Sequence, residues 1–268
     1  MSGMAAFCES GRVFVYAVRE AGTRVGNRLR EGGLGGVQVV VISGGEGAGA
    51  VRFREIYAEA RAGDVVVFVG ACGIATRFLD GLLGDKRTDP AVLVLDEAAR
   101  HCVVLVGGHE AGGNAMAYRI AELTGAVPVV TTATEVMKPL VLGVGCRRGV
   151  GVEAFVECFE AVCGVFEVVR DQVREVVTVD VKRDEEGLRR WVMDCGFPLR
   201  IVGLRELRNR PWVVERSEWV GKTLGVAGVS EACALSVSPR SILLGRRHVH
   251  RGVTMAFAGD SSMVGLSV

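Results

Sequence analysis

The 268-residue sequence has almost no excess of either charge: 32 basic residues against 31 acidic ones leave a net +1. A protein that neutralises several phosphates ordinarily carries a basic surplus, so nucleic acid is excluded as the main partner. Despite a mean hydropathy of +0.33, no run reaches the roughly 18 uncharged apolar residues of a membrane span, so no membrane association is expected. The longest apolar stretch, residues 125–145, is broken by Pro128, Glu135, Lys138 and Pro139. The eight cysteines, at positions 8, 72, 102, 146, 158, 163, 195 and 233, include no CxxC pair. They read as free thiols of a reducing compartment rather than as a disulfide framework. The opening twelve residues lack a basic stretch followed by an apolar core, so no signal peptide is expected and the cytoplasm is the expected location. Solenoid-period repeats and low-complexity tails are also missing.

What is present is hydrophobicity, 49% of the chain, divided into short Val-rich bursts that suit strands buried on both faces. These bursts alternate with segments of helical period, which predicts an α/β protein of two domains, residues 1–136 and 137–268. Each domain is expected to be a mainly parallel or mixed sheet flanked by helices. In the first half, strands are predicted over 12–18, 37–43, 64–70, 91–96, 102–106 and 127–131. Helices are predicted to about residue 30 and over 51–61, 74–83 and 113–123. The polar spacer 97–100 predicts an antiparallel hairpin between two of the strands. The second half predicts strands over 140–145, 176–181, 199–202, 242–246 and 253–258, with helices over 152–162, 185–194 and 230–235. A basic turn is expected between the last two strands.

Gly45-Glu-Gly47-Ala-Gly49-Ala50 fits a dinucleotide-binding glycine pattern between a strand and a helix. The next strand ends in Val69-Gly70 without an acid for a ribose, so a mobile glycine loop is favoured. Gly221-Lys222-Thr223 resembles the end of a phosphate loop, but Arg216 stands where the first glycine belongs and no strand leads in. His248-Val-His250 would put two imidazoles on one strand face, yet Arg246, Arg247 and Arg251 would repel a cation, which favours a solvated basic hairpin and no metal.

Polar, charged and glycine residues gather between Gly70 and Thr134, at predicted strand ends, where doubly wound sheets place ligands. His109 stands among four glycines, and a histidine is the side chain suited to giving or taking a proton near neutral pH; a structural loop histidine is the equal alternative. Asp96 and Glu97 close a strand, and ordinary hairpin-turn acids are at least as good a reading of them. Gly143-Val-Gly-Cys-Arg-Arg-Gly149 reads as a strand, glycine turn and helix start, where Arg147 and Arg148 could grip a carboxylate or phosphate.

These residues carry a family resemblance. Asp85 to Glu97 resembles a DKxxDPAVxVxDE motif, Gly108 to Asn114 a GHxGGxN motif and Thr131 to Thr134 a TTAT motif of CbiG, the cobalt-precorrin 5A hydrolase family of anaerobic cobalamin biosynthesis. Leu142 to Gly149, Asp180 to Leu188 and Gly225 to Ala232 are similar to stretches of that family's C-terminal domain, which also resembles CobE of the aerobic pathway. One departure is large: longer family members carry a middle segment where this chain has only residues 135–141.

The resemblance implies a cobalt-containing tetrapyrrole substrate edged with acetate and propionate groups. Hydrolysis opens the ring A δ-lactone and the two-carbon unit at carbon 20 leaves as acetaldehyde, giving cobalt-precorrin 5B with a contracted ring. The substrate carries the cobalt, so no further cofactor is implied. On this reading His109 is the general base oriented by Asp96 or Glu97, with the Gly112, Gly113 and Asn114 amides as oxyanion donors. Arg77, Lys86, Asp89, Cys146, Arg147, Lys182, Ser230 and Glu231 are the further substrate-binding candidates, and a cleft between the domains is the expected seat for so broad a ligand. Expected partners are the substrate, neighbouring pathway enzymes and a second copy of the chain. Two other classes remain open: a non-catalytic tetrapyrrole carrier, and a nucleotide-dependent enzyme built on Gly45 to Ala50.

Overall fold

The computed structural model describes residues 11–34, 38–43, 49–210 and 228–260. The chain divides into two units, Met1–Thr132 and Ala133–Val268. The residues 45–48 of the first glycine loop, Gly221-Lys222-Thr223, and residues 225–227 lie outside the described residues.

The first unit is built on strands β1 (Arg12–Ala17), β2 (Gln38–Ser43), β3 (Val65–Val69), β4 (Ala91–Leu95), β5 (His101–Val106) and β6 (Val127–Val129). Their order is β2-β1-β3-β4-β5-β6. The first four run parallel; β5 turns back antiparallel to β4, and β6 runs parallel to β5. The Val-rich strands are buried on both faces. Val13, Val15, Val65, Val67 and Leu93 pack with Leu29, Met116 and Ile120, which lie on α1 (Glu20–Glu31) and α4 (Gly113–Thr124). Phe14, Tyr16, Val66 and Phe68 pack with Phe53, Ile56 and Ala75 of α2 (Gly49–Glu59) and α3 (Cys72–Phe78) on the other face. Each such side chain contributes about 1.5–3 kcal/mol when fully removed from water.

The second unit holds β7 (Leu140–Cys146), β8 (Val173–Val179), β9 (Leu199–Val202), β10 (Ser241–Leu243), β11 (His248–His250) and β12 (Val253–Asp260). The order is β10-β12-β7-β8-β9, with β7, β8 and β9 parallel and β12 antiparallel to β7. The predicted basic turn contains β11, which pairs with β12. Helices α5 (Val152–Phe166) and α6 (Glu186–Cys195) cover one face through Phe155, Phe159, Leu188 and Trp191. The other face carries α7 (Leu204–Arg208) and α8 (Val229–Leu235). Strand β8 begins three residues before its predicted start. Its added Glu175 is 1% exposed and lies 3.1 Å from the Arg200 guanidinium, which accommodates a charge inside a strand.

Helix α8 packs on β7 only because β7 has a glycine there. A Cβ on Gly143 would meet the Ser230 carbonyl oxygen at 1.8 Å and the Ala234 nitrogen at 2.6 Å. The glycines of this segment therefore admit a helix backbone against the sheet. Among the described residues no helix is long and apolar enough to cross a membrane.

Candidate active site

Strand direction sorts the candidate residues of the first unit into two groups. The register pairs Leu95 with Cys102 and Val92 with Val106, so β5 starts where β4 ends and finishes where β4 begins. Asp96 and Glu97 therefore lie at one end of the hairpin and the 107–112 loop at the other. Five residues at about 3.3 Å each separate these ends by roughly 16 Å.

At the first end, Asp96 is occupied by the turn it closes. Its Oδ1 accepts the backbone N–H of Arg100 at 2.8 Å and of His101 at 2.7 Å, and Oδ2 accepts Arg100 Nε at 3.1 Å. Burial alone would raise the Asp96 carboxyl, but these donors outweigh it and hold it below the ordinary range. Glu97 lies 3.9 Å from Arg19. Arg77 folds back along α3 to donate to the Gly73 carbonyl at 3.0 Å, towards the helix end that follows β3. The expected orientation of His109 by Asp96 or Glu97 is thus not what the fold makes: the antiparallel return of β5 carries the imidazole to the far end of the sheet.

That far end gathers three loops. The 84–90 loop leads into β4, the 107–112 loop follows β5, and residues 130–132 follow β6 on the same side. The 84–90 loop is braced internally. Asp89 Oδ2 accepts the Gly84 N–H at 2.9 Å, and Arg87 grips both oxygens of Asp85 at 3.2 and 3.1 Å. Asp85 is held below the ordinary carboxylate range, first by the Arg87 side chain and then by its backbone N–H. Below this loop, burial and then the charge of Asp89 push the Tyr57 hydroxyl up to about 12.

The 107–112 loop turns on glycines with positive φ, Gly107 at 67° and Gly112 at 73°, a region that L side chains enter at a cost. It leaves His109 and Glu110 exposed while Gly108 and Ala111 are buried. Asn114, in the first turn of α4, donates to Thr132 Oγ1 at 2.9 Å, in the segment that follows β6. The Gly113 and Asn114 N–H groups donate to the Gly107 and Gly108 carbonyls at 3.1 and 2.9 Å. Closing the loop thus consumes two of the three proposed oxyanion donors and leaves Gly112. Two residues beyond the predicted set belong to this end, Thr132 and Glu110. Glu110 Oε1 accepts from Lys86 Nζ at 3.0 Å, an ion pair that joins the 84–90 loop to the 107–112 loop. Lys86 above all, with His109 adding a little, holds the Glu110 carboxyl below its ordinary value. Glu110 sits in a variable position of the GHxGGxN pattern, so motif spacing gives no signal for it.

In the second unit, Cys146, Arg147 and Lys182 stand at the carboxyl ends of β7 and β8. Lys182 is held within the protein. Its Nζ lies 2.8 Å from Glu185 Oε1, with only 15% and 12% of the two side chains exposed, and Glu185 Oε2 accepts the Gly149 N–H at 2.9 Å. Glu185 thus fills the turn that the sequence offered to a ligand anion, and Lys182 neutralises it. Burial pushes the half-buried Cys146 thiol up to about 11, so it is protonated at neutral pH. Ser230 and Glu231 are 0% and 1% exposed. The Ser230 carbonyl lies against Gly143, and Glu231 pairs with Arg247 at 2.9 Å. Both are buried in the packing of α8. Arg147 is exposed and has no ion pair among the described residues. His250 binds Glu157 at 2.7 Å, and no metal-holding group of three or more His, Cys, Asp or Glu occurs among the described residues.

Comparison with known proteins places two profiles along this chain. The profile described as cobalamin synthesis G N-terminal matches residues 52–135, and that described as cobalamin synthesis G C-terminus matches residues 140–258. A cobalt-precorrin-5A hydrolase of Salmonella typhimurium is 49% identical over 71 residues, 26% of this chain and 20% of that protein. One from Priestia megaterium is 33% identical over 75 residues, 28% of this chain and 20% of that protein. These matches span about a fifth of the length of the curated relatives. The crystal structure of CobE, a protein from the cobalamin biosynthetic pathway, is 26% identical with a TM-score of 0.41, covering 45% of this chain and 89% of that one.

Proposed function

The chain belongs to the cobalamin synthesis G family, and on that premise we propose that it is a hydrolase of cobalamin biosynthesis acting on cobalt-precorrin 5A, as its curated relatives are named. The ring A δ-lactone is opened, and the two-carbon unit at carbon 20 leaves as acetaldehyde. The observation that carries this reading is the gathering of the 84–90, 107–112 and 130–132 segments, with an exposed His109, at one end of the first sheet.

His109 acts as the general base towards water or the departing two-carbon unit. Its exposure lets a broad macrocycle reach it from solvent. The Gly112 N–H, with no internal acceptor among the described residues, faces the developing oxyanion. Lys86 takes a peripheral carboxylate at this end. The cobalt belongs to the substrate, and the protein is asked to supply only a base, an oxyanion donor and a cationic anchor.

The test is anaerobic incubation with cobalt-precorrin 5A, reading acetaldehyde with a coupled alcohol dehydrogenase. The reading expects one acetaldehyde per macrocycle with the matching mass loss. Binding of the macrocycle without acetaldehyde would make the protein a carrier instead.

A further inference from the structure

We propose that the Lys86–Glu110 pair is an exchangeable latch over the proposed active site: a macrocycle carboxylate displaces Glu110 from Lys86, so that substrate binding opens the contact between the two loops. The inference rests on the reading of the substrate as a carboxylate-edged macrocycle, and it adds a competitor inside the protein for the substrate's own anion.

Three observations support exchange. Among the described residues the Lys86–Glu110 ion pair joins two loops that each also have internal braces, the first Asp85–Arg87 and Asp89–Gly84, the second the Gly107 and Gly108 carbonyls. Opening the pair therefore leaves each loop folded. The Lys86 side chain is 75% exposed and that of Glu110 37% exposed, so water replaces the partner on both sides and the pair is weak. Glu110 also follows His109 directly, so the displaced carboxylate remains beside the imidazole.

A latch and a structural ion pair respond differently to removal of each partner. For a latch, removing Glu110 frees Lys86 and tightens an anionic ligand, whereas removing Lys86 weakens it. For a structural pair, both removals disturb the site in the same direction. Uroporphyrin, a macrocycle with peripheral acetate and propionate groups, serves as the probe, titrated into the full chain by absorbance and fluorescence. The expected result is binding by the unaltered protein, about two- to fivefold tighter in Glu110→Gln and about fivefold or more weaker in Lys86→Gln. Glu110→Gln in the Lys86→Gln background should then change nothing. Circular dichroism melts should coincide for all four proteins.

Equal tightening by Glu110→Gln in both backgrounds would show only a general loss of negative charge, and would overturn the latch. So would weaker or unchanged binding in Glu110→Gln, or no binding of the probe by the unaltered protein. The hydrolase reading fails separately: the expected binding pattern without acetaldehyde from cobalt-precorrin 5A would reject the reaction and leave the latch standing.

Discussion

Each unit carries a Lys–Glu pair beside a glycine-bearing loop, and the two pairs differ chiefly in burial. Lys182 and Glu185 are 15% and 12% exposed at 2.8 Å, and Glu185 also takes the Gly149 N–H. Lys86 and Glu110 are 75% and 37% exposed at 3.0 Å, and among the described residues no backbone N–H of the opposite loop donates to this Glu110 carboxylate. Removing either member of the buried pair leaves the other without its counter-charge, so it serves as scaffolding. In the exposed pair, water can stand in for either partner, which leaves Lys86 available to a ligand. Residue type alone made Lys86 and Lys182 equivalent anchors; burial separates them.

The comparison can be sharpened by substitutions that should fall in order of effect. The largest is Gly143→Ala, which forces a methyl into the Ser230 carbonyl. It should cost about 3 kcal/mol or more, or prevent folding of the second unit, read by chemical denaturation. Next is Glu185→Ala, which strands Lys182 and the Gly149 N–H and should cost about 2 kcal/mol in the same measurement. A cost no larger than that of an exposed pair would remove the distinction drawn here. Asp96→Asn follows, at about 1 kcal/mol near neutral pH, because the hairpin turn loses acceptor strength. Since Asp96 is held below its ordinary value of 3.8, its contribution is present above that pH and lost as pH falls through the folded value. The stability gap between Asp96→Asn and the unaltered protein should accordingly close in acid. The smallest effect is Glu110→Gln, which should leave the melting curve unchanged.

Much of the architecture was legible in the sequence, because buried parallel strands announce themselves as Val-rich bursts such as Val65–Val69. The hairpin was legible too, from a spacer too short for a crossover. The grouping of the site was not. A strand end looks the same in sequence whichever way the strand runs, so Asp96 and His109 both read as strand-end residues although β5 carries them apart. Strand β11 falls within the predicted basic turn, because three residues between arginines give no periodicity of their own. The start of β8 escaped because a buried Glu175 reads as surface until Arg200 is seen beside it. Glycines 143 and 145 suggested an anion loop, whereas at Gly143 the missing Cβ makes room for the backbone of α8.

In the proposed mechanism the chemistry belongs to the His109 end of the first sheet, and Asp96 serves the fold. The most direct test compares acetaldehyde release from cobalt-precorrin 5A by His109→Ala and Asp96→Asn, each shown to be folded by circular dichroism. His109→Ala should lose at least about a hundredfold in turnover, in the range set by removing a general base, while Asp96→Asn should stay within a few fold of the unaltered protein. Near-normal turnover in His109→Ala, with collapse in a folded Asp96→Asn, would contradict it.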